Sequence, residues 1–311
     1  MNRAGIAPGR PHRVARMSTP VLHCRDPLDS RRVDAHFAAE AEAVRRAGGD
    51  VALLDHDTLL AGDADAAVAR VPQGLGGVWY RRWMMPSETY SALAEALRRR
   101  GAELLTAPDR YRSAHELPGW YATFGDVTPA SVWHPAPPAA DPVPPPGELA
   151  ALAARLPAGP AVVKDYVKSR KDAWDEACYV PDLADGAGVR RVVARFADLQ
   201  GEYLTGGIVL RAFEPFADRG EPPAELRVWW LDGEPRLVTP HPDSPHRSGP
   251  EPELGHIAPA VRAPGCRFVT TDVALRTDGV WRVVEVGDGQ VSDLPRDVDP
   301  AHLATLLVGT G

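Results

Sequence analysis

One predicted hairpin constrains this chain more than any other stretch. Two β-rich runs, Phe268–Leu275 and Val280–Val286, flank Asp278-Gly279, and that dipeptide is one of the strongest short signals for a two-residue hairpin loop. A loop of those two residues places Asp272 directly opposite Glu285 on the neighbouring strand. The hairpin therefore predicts two carboxylates side by side on one face of a sheet.

The predicted register pairs Thr277 with Val280 and gives the two acids three neighbours on the same face: Ala274, Trp281 and Val283. Like charges on cross-strand partners destabilise a sheet. A divalent cation would offset the repulsion, because carboxylate oxygens are the ligands that Mg²⁺ prefers. An arginine between the carboxylates, or a loop of another length, would relieve it as well. The glycines of Gly287-Asp288-Gly289 allow a ligand close to the backbone, which favours the metal site.

Composition argues against several classes of protein. At 311 residues the chain is long enough for about two domains, and its net charge of −7 argues against broad binding to nucleic acid or anionic membranes. No apolar run approaches the ~20 residues of a membrane span. Three cysteines without metal-ligand spacing indicate buried thiols in a reducing compartment, so we expect a cytoplasmic protein: Cys24, Cys178 and Cys266.

Local patterns divide the chain into four parts. Residues 1–17 are basic and lack periodicity, which predicts a disordered tail. Strand and helix patterns alternate through 18–107, which predicts a small parallel α/β domain. Residues 108–147 predict an ordered loop followed by a Pro-rich linker, and 148–311 form a second, α+β region.

Arg81 and Arg82 follow the third predicted strand, Gly77–Tyr80. Ligands of open α/β sheets bind at the carboxyl ends of the strands, so these arginines could hold a carboxylate or phosphate of a substrate. The alternative is two solvated charges in a loop. Against that alternative, aromatic side chains are denser here than a surface loop needs: Trp79, Tyr80 and Trp83.

Further charged residues cluster in the second region. Lys164 ends the predicted strand Ala161–Lys164, and the loop after it carries three more cations that either close over phosphates or form a solvated surface: Lys168, Arg170 and Lys171. Glu225 and Arg227 share one face of a second hairpin, which turns at Asp232-Gly233. They could pair with each other, or Arg227 could face a phosphate. The histidines of the following loop lack metal spacing and are predicted at the surface: His241, His246 and His256.

Four segments together resemble the ATP-grasp superfamily and cover roughly half of the chain: AVVKDYVKS (Ala161–Ser169), GGIVLRAFEPF (Gly206–Phe216), ELRVWWLDGEP (Glu225–Pro235) and TDVALRTDGVWRVVEVGDGQ (Thr271–Gln290). No single motif is diagnostic, but the four follow the family's order with compatible spacing. The likeness is greatest to the clade named for two arginines and a lysine, with Arg81, Arg82 and Lys164 as candidates. It implies an α+β ATP-grasp fold of two lobes, preceded by a small Rossmann-like pre-grasp α/β domain.

The resemblance implies that ATP binds between the two lobes, with Lys164 on the phosphates and Glu214 reading the purine or ribose. Arg227 would reach the transferred phosphate. We therefore predict catalytic roles for Arg227, Lys164 and Arg82, nucleotide binding by Lys164, Lys168, Arg211, Phe213, Glu214 and Arg227, and Mg²⁺ binding by Asp272, Glu285 and Asp288.

The sequence departs from the family at two places. Gly287 stands where the family often has an Asn two residues after the metal-binding Glu, so Asp288 or Gln290 would have to serve instead. The glycine-rich phosphate loop is missing, and the basic loop Lys168–Lys171 stands in its place. Both departures bear on how metal and phosphate are held.

The function implied by the resemblance is ATP-dependent ligation. ATP and Mg²⁺ would activate a carboxylate as an acyl phosphate, which an amine then attacks, releasing ADP and phosphate. The partners would be a small molecule or peptide with a carboxylate, and an amine acceptor. A phosphotransferase, an enzyme acting on nucleic-acid ends and a non-enzymatic nucleotide-binding module are the alternatives.

Overall fold

The computed structural model describes residues 18–137, 140–216, 225–242 and 250–309. The predicted tail 1–17 and His246 lie outside the described residues. Within the described ranges, twelve strands form three four-stranded sheets. None of the helices described there has the length and apolar character needed to cross a membrane.

The first sheet is the predicted parallel α/β sheet. Its strands lie in the order β2-β1-β3-β4: β1 (Val21–Cys24), β2 (Val51–Leu54), β3 (Gly76–Tyr80) and β4 (Ala102–Leu104). The chain returns from β1 to β2 through α1 (Ala38–Arg46) and from β3 to β4 through α4 (Ser87–Arg99), with α2 (His56–Leu60) and α3 (Ala64–Ala67) between β2 and β3. Leu22, Leu54 and Val78 of the strands pack with Leu93 and Leu97 of α4. Because every pairing is parallel, all four strands end at the same edge of the sheet.

Residues 108–147 contain regular structure, so the predicted loop and linker are wrong for most of their length. Two helices and a strand occupy it: α5 (Pro108–His115), α6 (Leu117–Phe124) and β5 (Ser131–Pro135). Proline lies in the first turn of both helices, where its missing N–H interrupts no hydrogen bond. Helices of eight residues complete only about two turns, too few to show a clear helical period.

The second sheet is antiparallel in the order β5-β8-β6-β7, so the predicted linker contributes its edge strand. Its elements after β5 are α7 (Pro146–Ala153), β6 (Ala161–Lys164), β7 (Tyr179–Val180), α8 (Gly186–Gln200) and β8 (Gly207–Ala212). Leu149 of α7 and Val193 and Phe196 of α8 cover one face of the sheet with Val163 and Leu210. The basic loop leaves β6 and runs through irregular helical turns at 171–178.

The third sheet carries the predicted acidic hairpin in the order β10-β9-β11-β12. Its elements are β9 (Glu225–Leu231), β10 (Glu234–Pro240), α9 (Ala258–Arg262), β11 (Phe268–Leu275) and β12 (Trp281–Asp288), and the last described helix is α10 (Ala301–Val308). Trp120 and Phe124 of α6 pack on one face of this sheet, with Trp230, Val273 and Val283. On the opposite face, Trp229 and Phe268 pack in an apolar cluster with the first sheet. Polar side chains occupy the remainder of that face, which we call the polar face.

The turn between β9 and β10 is the predicted two-residue loop. Leu231 pairs with Glu234, so Asp232 and Gly233 alone connect the strands. Both residues have positive φ, 53° and 77°. A type I′ turn needs positive φ at both central positions, and its twist matches that of the flanking strands.

The turn between β11 and β12 is longer than predicted. Arg276 N donates to Val280 O at 2.9 Å, which leaves a three-residue loop and shifts the register by one. A bulge at Val284 then shifts the register back, so that Asp272 does face Glu285. The predicted pairing of the acids is confirmed, but two irregularities that cancel produce it.

The bulge also corrects one detail of the prediction. Trp281 pairs with Leu275 and Val283 with Val273, whose side chains alternate away from Asp272. Trp281 and Val283 therefore lie on the apolar face and pack in the core, not beside the two acids.

Candidate active site

A cavity of about 470 Å³ opens where the polar face of the third sheet meets the basic loop and the segment after β12. The described residues that line it are Met84, His115, Val167, Lys168, Ser169, Lys171, Asp172, Arg227, His241, Pro242, Thr270, Asp272, Glu285, Val286, Gly287, Val291, Ser292 and Asp293. Both acids of the hairpin belong to this wall, and so do three cations.

Arg227 and Asp272 form a two-pronged ion pair at the centre of the cavity wall. They are cross-strand partners on β9 and β11. Arg227 Nε donates to Asp272 Oδ1 at 2.8 Å and Nη2 donates to Oδ2 at 2.9 Å, while Nη1 donates to Asp293 O at 3.2 Å. Burial alone would raise the pKa of Asp272, but Arg227, helped by His241, holds that pKa well below its usual range. Asp272 is therefore an anion whose geometry is fixed.

His241 completes this group, although the sequence predicted it at the surface. Its Nε2 lies 3.0 Å from Arg227 Nη2 and 3.4 Å from Asp272 Oδ2, and the residue is buried. Burial would lower the pKa of His241, but the hydrogen bond and the charge of Asp272 outweigh burial and raise it. A bulge in β10 explains the error, since it brings His241 N to Glu225 O at 2.9 Å and so beside the polar face.

Glu285 differs from Asp272 because none of the described residues donates a hydrogen bond to its carboxylate. It lines the cavity next to Lys164, which is buried at the end of β6. Burial lowers the pKa of Lys164 to about 8, and Glu285 is the strongest opposing charge. Lys164 Nζ has one long contact, 3.4 Å to Val167 O. Both groups thus have bonding capacity left for a ligand.

The third charged contact ties the basic loop to the sheet. Lys171 Nζ lies 3.4 Å from Glu225 Oε2, and the lysine side chain is 56% exposed. Burial would lower the pKa of Lys171, but Glu225, followed by Glu285 and Asp272 of the cavity wall, raises it. The loop therefore presents an exposed cation at the mouth of the cavity.

A family model for the ATP-grasp domain matches residues 150–307, about half of the chain, and it describes family 3 of the clade named for two arginines and a lysine. The chain belongs to this ATP-grasp family. The superfamily, the clade and the fold predicted from the sequence are confirmed by this match. Among curated proteins, none matches the chain in sequence.

Three solved structures show how far this ATP-grasp fold extends along the chain. They are the ATP-grasp ligase PsnB with minimal precursor, Mg and ADP (15% identity, TM-score 0.57, 94% of this chain and 98% of that chain), a RimK domain ATP-grasp protein from Sphaerobacter thermophilus (14%, 0.57, 93% and 99%), and the D-cycloserine synthetase DcsG (17%, 0.58, 92% and 98%). At sequence identities of 14–17%, the structural similarity establishes the fold alone. PsnB is named as an ATP-grasp ligase and DcsG as a synthetase, so proteins of this fold include the enzyme class predicted from the sequence.

The residues of this ATP-grasp protein fit a magnesium ion at Asp272 and Glu285. A carboxylate has about four lone-pair sites, so Asp272 can keep Arg227 and still offer an oxygen to a cation. Glu285 has both oxygens available. A second group, Glu225, His241 and Asp272, has ligand atoms within 4.8 Å of one another. Its imidazole suits transition metals better than Mg²⁺.

Asp288, the third predicted metal ligand, points away from the cavity. It pairs with Val269, one residue out of phase with Thr270 and Asp272, so strand alternation turns it to the other face. Its buried carboxylate accepts hydrogen bonds from Gln290 N at 2.7 Å and Gln290 Nε2 at 3.2 Å. Neither Asp288 nor Gln290 is among the described residues of the wall, so the structure brings neither to the predicted metal site.

Gly287 lies in the wall where the family often has an Asn. A Cβ added there would meet Thr270 Oγ1 at 3.0 Å and Ser292 Oγ at 3.4 Å. These two hydroxyls are 2.7 Å apart and face the cavity themselves. Hydroxyl groups therefore occupy the space that a longer polar side chain at this position would need.

The predicted nucleotide-binding residues separate into two groups. Lys168 and Arg227 line the cavity. The remaining ones lie behind it or at the end of β8: Lys164, Arg211, Phe213 and Glu214. Their roles stay predictions.

The residues at the end of β8 are held by specific contacts. Arg211 Nε donates to Ser131 Oγ at 3.0 Å, and Nη1 donates to the Val284 carbonyl that the bulge exposes. Phe213 packs edge-on against Tyr179 at 5.5 Å. The Glu214 carboxylate accepts two hydrogen bonds of 2.9 Å from Arg282.

Arg81 and Arg82 are buried, which rules out the reading of two solvated charges. Arg81 is paired with Glu40 at 2.7 and 2.9 Å and donates to Gly289 O and Gln290 O at 3.2 and 3.0 Å. It thereby holds the chain just after β12. Arg82 lies at the end of the first sheet and is not among the described residues of the cavity wall, so its predicted catalytic role has no contact there to support it.

Two further wall residues were missed from the sequence. His115 at the end of α5 lines the cavity, and burial, followed by Lys168, lowers its pKa to about 4. Asp293 lines it as well, and its Oδ1 lies 2.9 Å from His36 Nε2. No local motif marks either residue, because distant segments bring them to the site.

Proposed function

We propose that this protein is an ATP-dependent carboxylate–amine ligase. The acid attacks the γ-phosphoryl group of ATP to give an acyl phosphate and ADP, and the amine then displaces phosphate to form an amide. One observation carries the proposal: the acids Asp272 and Glu285 share a cavity of an ATP-grasp fold with Lys168, Lys171 and Arg227. In such a cavity the cations can neutralise the phosphate oxygens, and the acids can hold the Mg²⁺ that accompanies ATP.

Arg227 is the residue we assign to the transferred phosphoryl group. Its ion pair with Asp272 fixes the guanidinium plane, so little rearrangement is needed when charge develops on the phosphoryl oxygens. Lys168 and Lys171 lie on the basic loop and would close over the remaining phosphates. Positioning and electrostatic stabilisation of this kind supply most of the catalysis in phosphoryl transfer.

Asp272 and Glu285 would hold Mg²⁺. When bound there, the ion neutralises charge on the phosphate oxygens of ATP. Lys164 would then lie behind Glu285 and keep that carboxylate oriented. Asp288 has no role in this proposal, because its carboxylate is bonded to Gln290 on the other face of the sheet.

The adenine would lie against the end of β8. Phe213, Tyr179 and Trp174 form an aromatic cluster there, with ring centroids 5.5 to 6.4 Å apart. The Glu214 carboxylate is held by Arg282, and by Arg276 at 3.2 Å, so it could accept a hydrogen bond from the purine or ribose. Arg211 would fix β5 and the bulge behind this surface.

The substrates are an acid and an amine of small-molecule or peptide type. PsnB was solved with a precursor peptide and AMPPNP, and the macrocyclase MdnC of Microcystis aeruginosa with the precursor peptide MdnA. DcsG is a D-cycloserine synthetase. Neighbours of this fold thus include proteins with peptide partners and a protein named for a small product, so a screen should contain both kinds of acid.

The first test is thermal unfolding with ATP, with and without Mg²⁺. A ligand at about 100 times its dissociation constant adds about 2.7 kcal/mol to the free energy of unfolding. We expect wild type to show a shift that needs Mg²⁺, and Asp272→Asn to lose the Mg²⁺-dependent part. Asp278→Asn is the matched control, since it makes the same change in the exposed turn of the same hairpin.

The second test identifies the products once an acid and an amine are found. ADP and phosphate are expected. AMP and pyrophosphate would contradict the acyl-phosphate route, and a phosphorylated product without free phosphate would show a phosphotransferase instead. If neither nucleotide nor Mg²⁺ shifts unfolding, the ligase proposal fails at its first step.

A further inference from the structure

Most of the unpaired buried nitrogen and oxygen atoms of the described residues gather in one place, away from the cavity. Five of the eight buried side-chain atoms without a hydrogen-bond partner belong to four residues at the carboxyl ends of β1, β2 and β3. We call this group the strand-end corner: His23, Arg25, His56 and Arg82. Buried polar groups are nearly always bonded, so such a concentration calls for a missing partner.

Arg82 is the central cation of the strand-end corner. It is 1% exposed, and among the described residues no carboxylate lies within ion-pairing distance. Nη1 reaches only Cys24 Sγ at 3.1 Å, a weak acceptor, Nε reaches Leu22 O at 3.4 Å, and Nη2 has no partner. A buried ion is destabilising unless it is paired and hydrogen-bonded. An anion would supply what Arg82 lacks.

The nearest acids are already engaged. Asp55 pairs with Arg25 and accepts from Thr58 Oγ1 at 2.6 Å. Asp34 accepts from Trp83 Nε1 at 3.2 Å. No ion pair joins these acids to Arg82, so its charge lacks a direct counter-ion among the described residues.

The two histidines add no positive charge to the corner. Burial, and next Arg82, lowers the pKa of His56 to about 4 and holds the pKa of His23 well below its usual range. Both rings are therefore neutral near pH 7. Each can donate one N–H and accept at the other nitrogen.

The corner is also where this kind of sheet binds ligands. Arg25 directly follows β1, and His56 and Arg82 each come two residues after their strands, β2 and β3. Ligands of open α/β sheets lie outside the carboxyl ends of the strands. Arg25 and His56 are partly exposed, so part of the corner is accessible from solvent.

We propose that the strand-end corner binds an anionic group, a carboxylate or a phosphate, whose charge Arg82 neutralises and whose oxygens accept from Arg25 and His56. The proposal rests on the proposed function in one respect only, that the anion belongs to a substrate of the ligase. Met84, two residues after Arg82, lines the active-site cavity, so a substrate could extend from one site to the other.

Binding of inorganic phosphate to the full chain, measured by calorimetry without ATP at constant ionic strength, tests the site directly. Wild type should bind phosphate saturably, and Arg82→Met should bind it about tenfold more weakly or worse, because hydrogen bonds to charged groups are the stronger ones. Arg98→Met, a like change on the exposed side of α4, should bind as wild type does. His56→Asn, at a partly exposed position, should weaken binding even if Arg82→Met fails to fold.

The controls separate this site from the nucleotide cavity. Loss of phosphate binding in Lys168→Met with full binding in Arg82→Met and His56→Asn would place the anion in the cavity and overturn the proposal. Absence of saturable binding in wild type would overturn it too, because water alone would then satisfy the corner. Acetate competing with phosphate would identify a carboxylate site, and phosphate binding without such competition a phosphate site. ADP release plays no part in this measurement, so either proposal can fail alone.

Discussion

The active-site cavity and the strand-end corner both hold a buried arginine, but only one arginine has its counter-charge within the described chain. Arg227 meets both oxygens of Asp272 at 2.8 and 2.9 Å. Arg82 meets a thiol, one distant carbonyl and the ring face of Tyr80, none of which carries a negative charge. Folding alone satisfies the first residue, whereas the second stays unsatisfied until something binds. The ion pair fixes the guanidinium of Arg227 in one orientation, whereas Arg82 Nη2 has no hydrogen-bond partner and can donate to a ligand.

The largest effect is expected from breaking the pair in the cavity. Asp272→Asn removes the negative charge that orients Arg227 and that would hold Mg²⁺. We expect ADP release with the true substrates to fall about 10²–10³-fold, the usual loss when one preorganised charge is removed. Steady-state kinetics of wild type, Asp272→Asn and the exposed control Asp278→Asn measure it. Activity within a few-fold of wild type in Asp272→Asn would show that the pair is structural only.

Adjacent arginines allow the same comparison for stability. Arg81→Met leaves the carboxylate of Glu40, which is 14% exposed, without its ion-pair partner. This change should lower the free energy of unfolding by about 3 kcal/mol. Arg82→Met removes the partner of no carboxylate among the described residues, so without added anion it should leave the free energy of unfolding unchanged or raise it. Chemical denaturation of both variants decides between these signs. Equal destabilisation would mean that Arg82 has a counter-charge after all.

The sequence was sufficient for features that depend on local chemistry. Asp232-Gly233 predicted its turn correctly because only a residue tolerant of positive φ fits there. The strands Ala161–Lys164 and Phe268–Leu275 were predicted to the residue. The opposition of Asp272 and Glu285 was correct as well, although the three-residue loop and the bulge cancelled by chance.

Other features depend on distant contacts and could not be found in this way. His241 reaches the cavity only because β10 bulges, and no residue pattern announces a bulge. Arg82 and Asp288 were predicted at the active site from the resemblance to the family. Strand direction and alternation instead send one to the end of the first sheet and the other to the opposite face of the third. Helices as short as α5 and α6 show too little periodicity to be recognised.

Lys164 offers a smaller, pH-dependent contrast with Arg82, since it is a buried cation that can lose its proton. Its pKa falls from an ordinary 10.5 to about 8 because of burial. Between these values the unfolded chain binds more protons than the folded one, so stability rises with pH across this window. Lys164→Met should thus be more stable than wild type below pH ~8, with the gap narrowing toward pH ~10. Urea unfolding across that range measures it, and a gap that widens with pH would contradict the assignment.

An exposed contact between His36 and Asp293 joins the two regions, and we expect its removal to change the stability of the protein very little. His36 Nε2 lies 2.9 Å from Asp293 Oδ1 of the cavity wall. The His36 ring also packs against Trp83, the residue after Arg82. Both side chains are more than 40% exposed, and exposed ion pairs contribute about 0–1 kcal/mol. His36→Ala should therefore lower the free energy of unfolding by less than about 1 kcal/mol and leave phosphate binding by the strand-end corner intact. A larger loss, or weaker phosphate binding, would mean that the corner and the cavity are coupled through this contact.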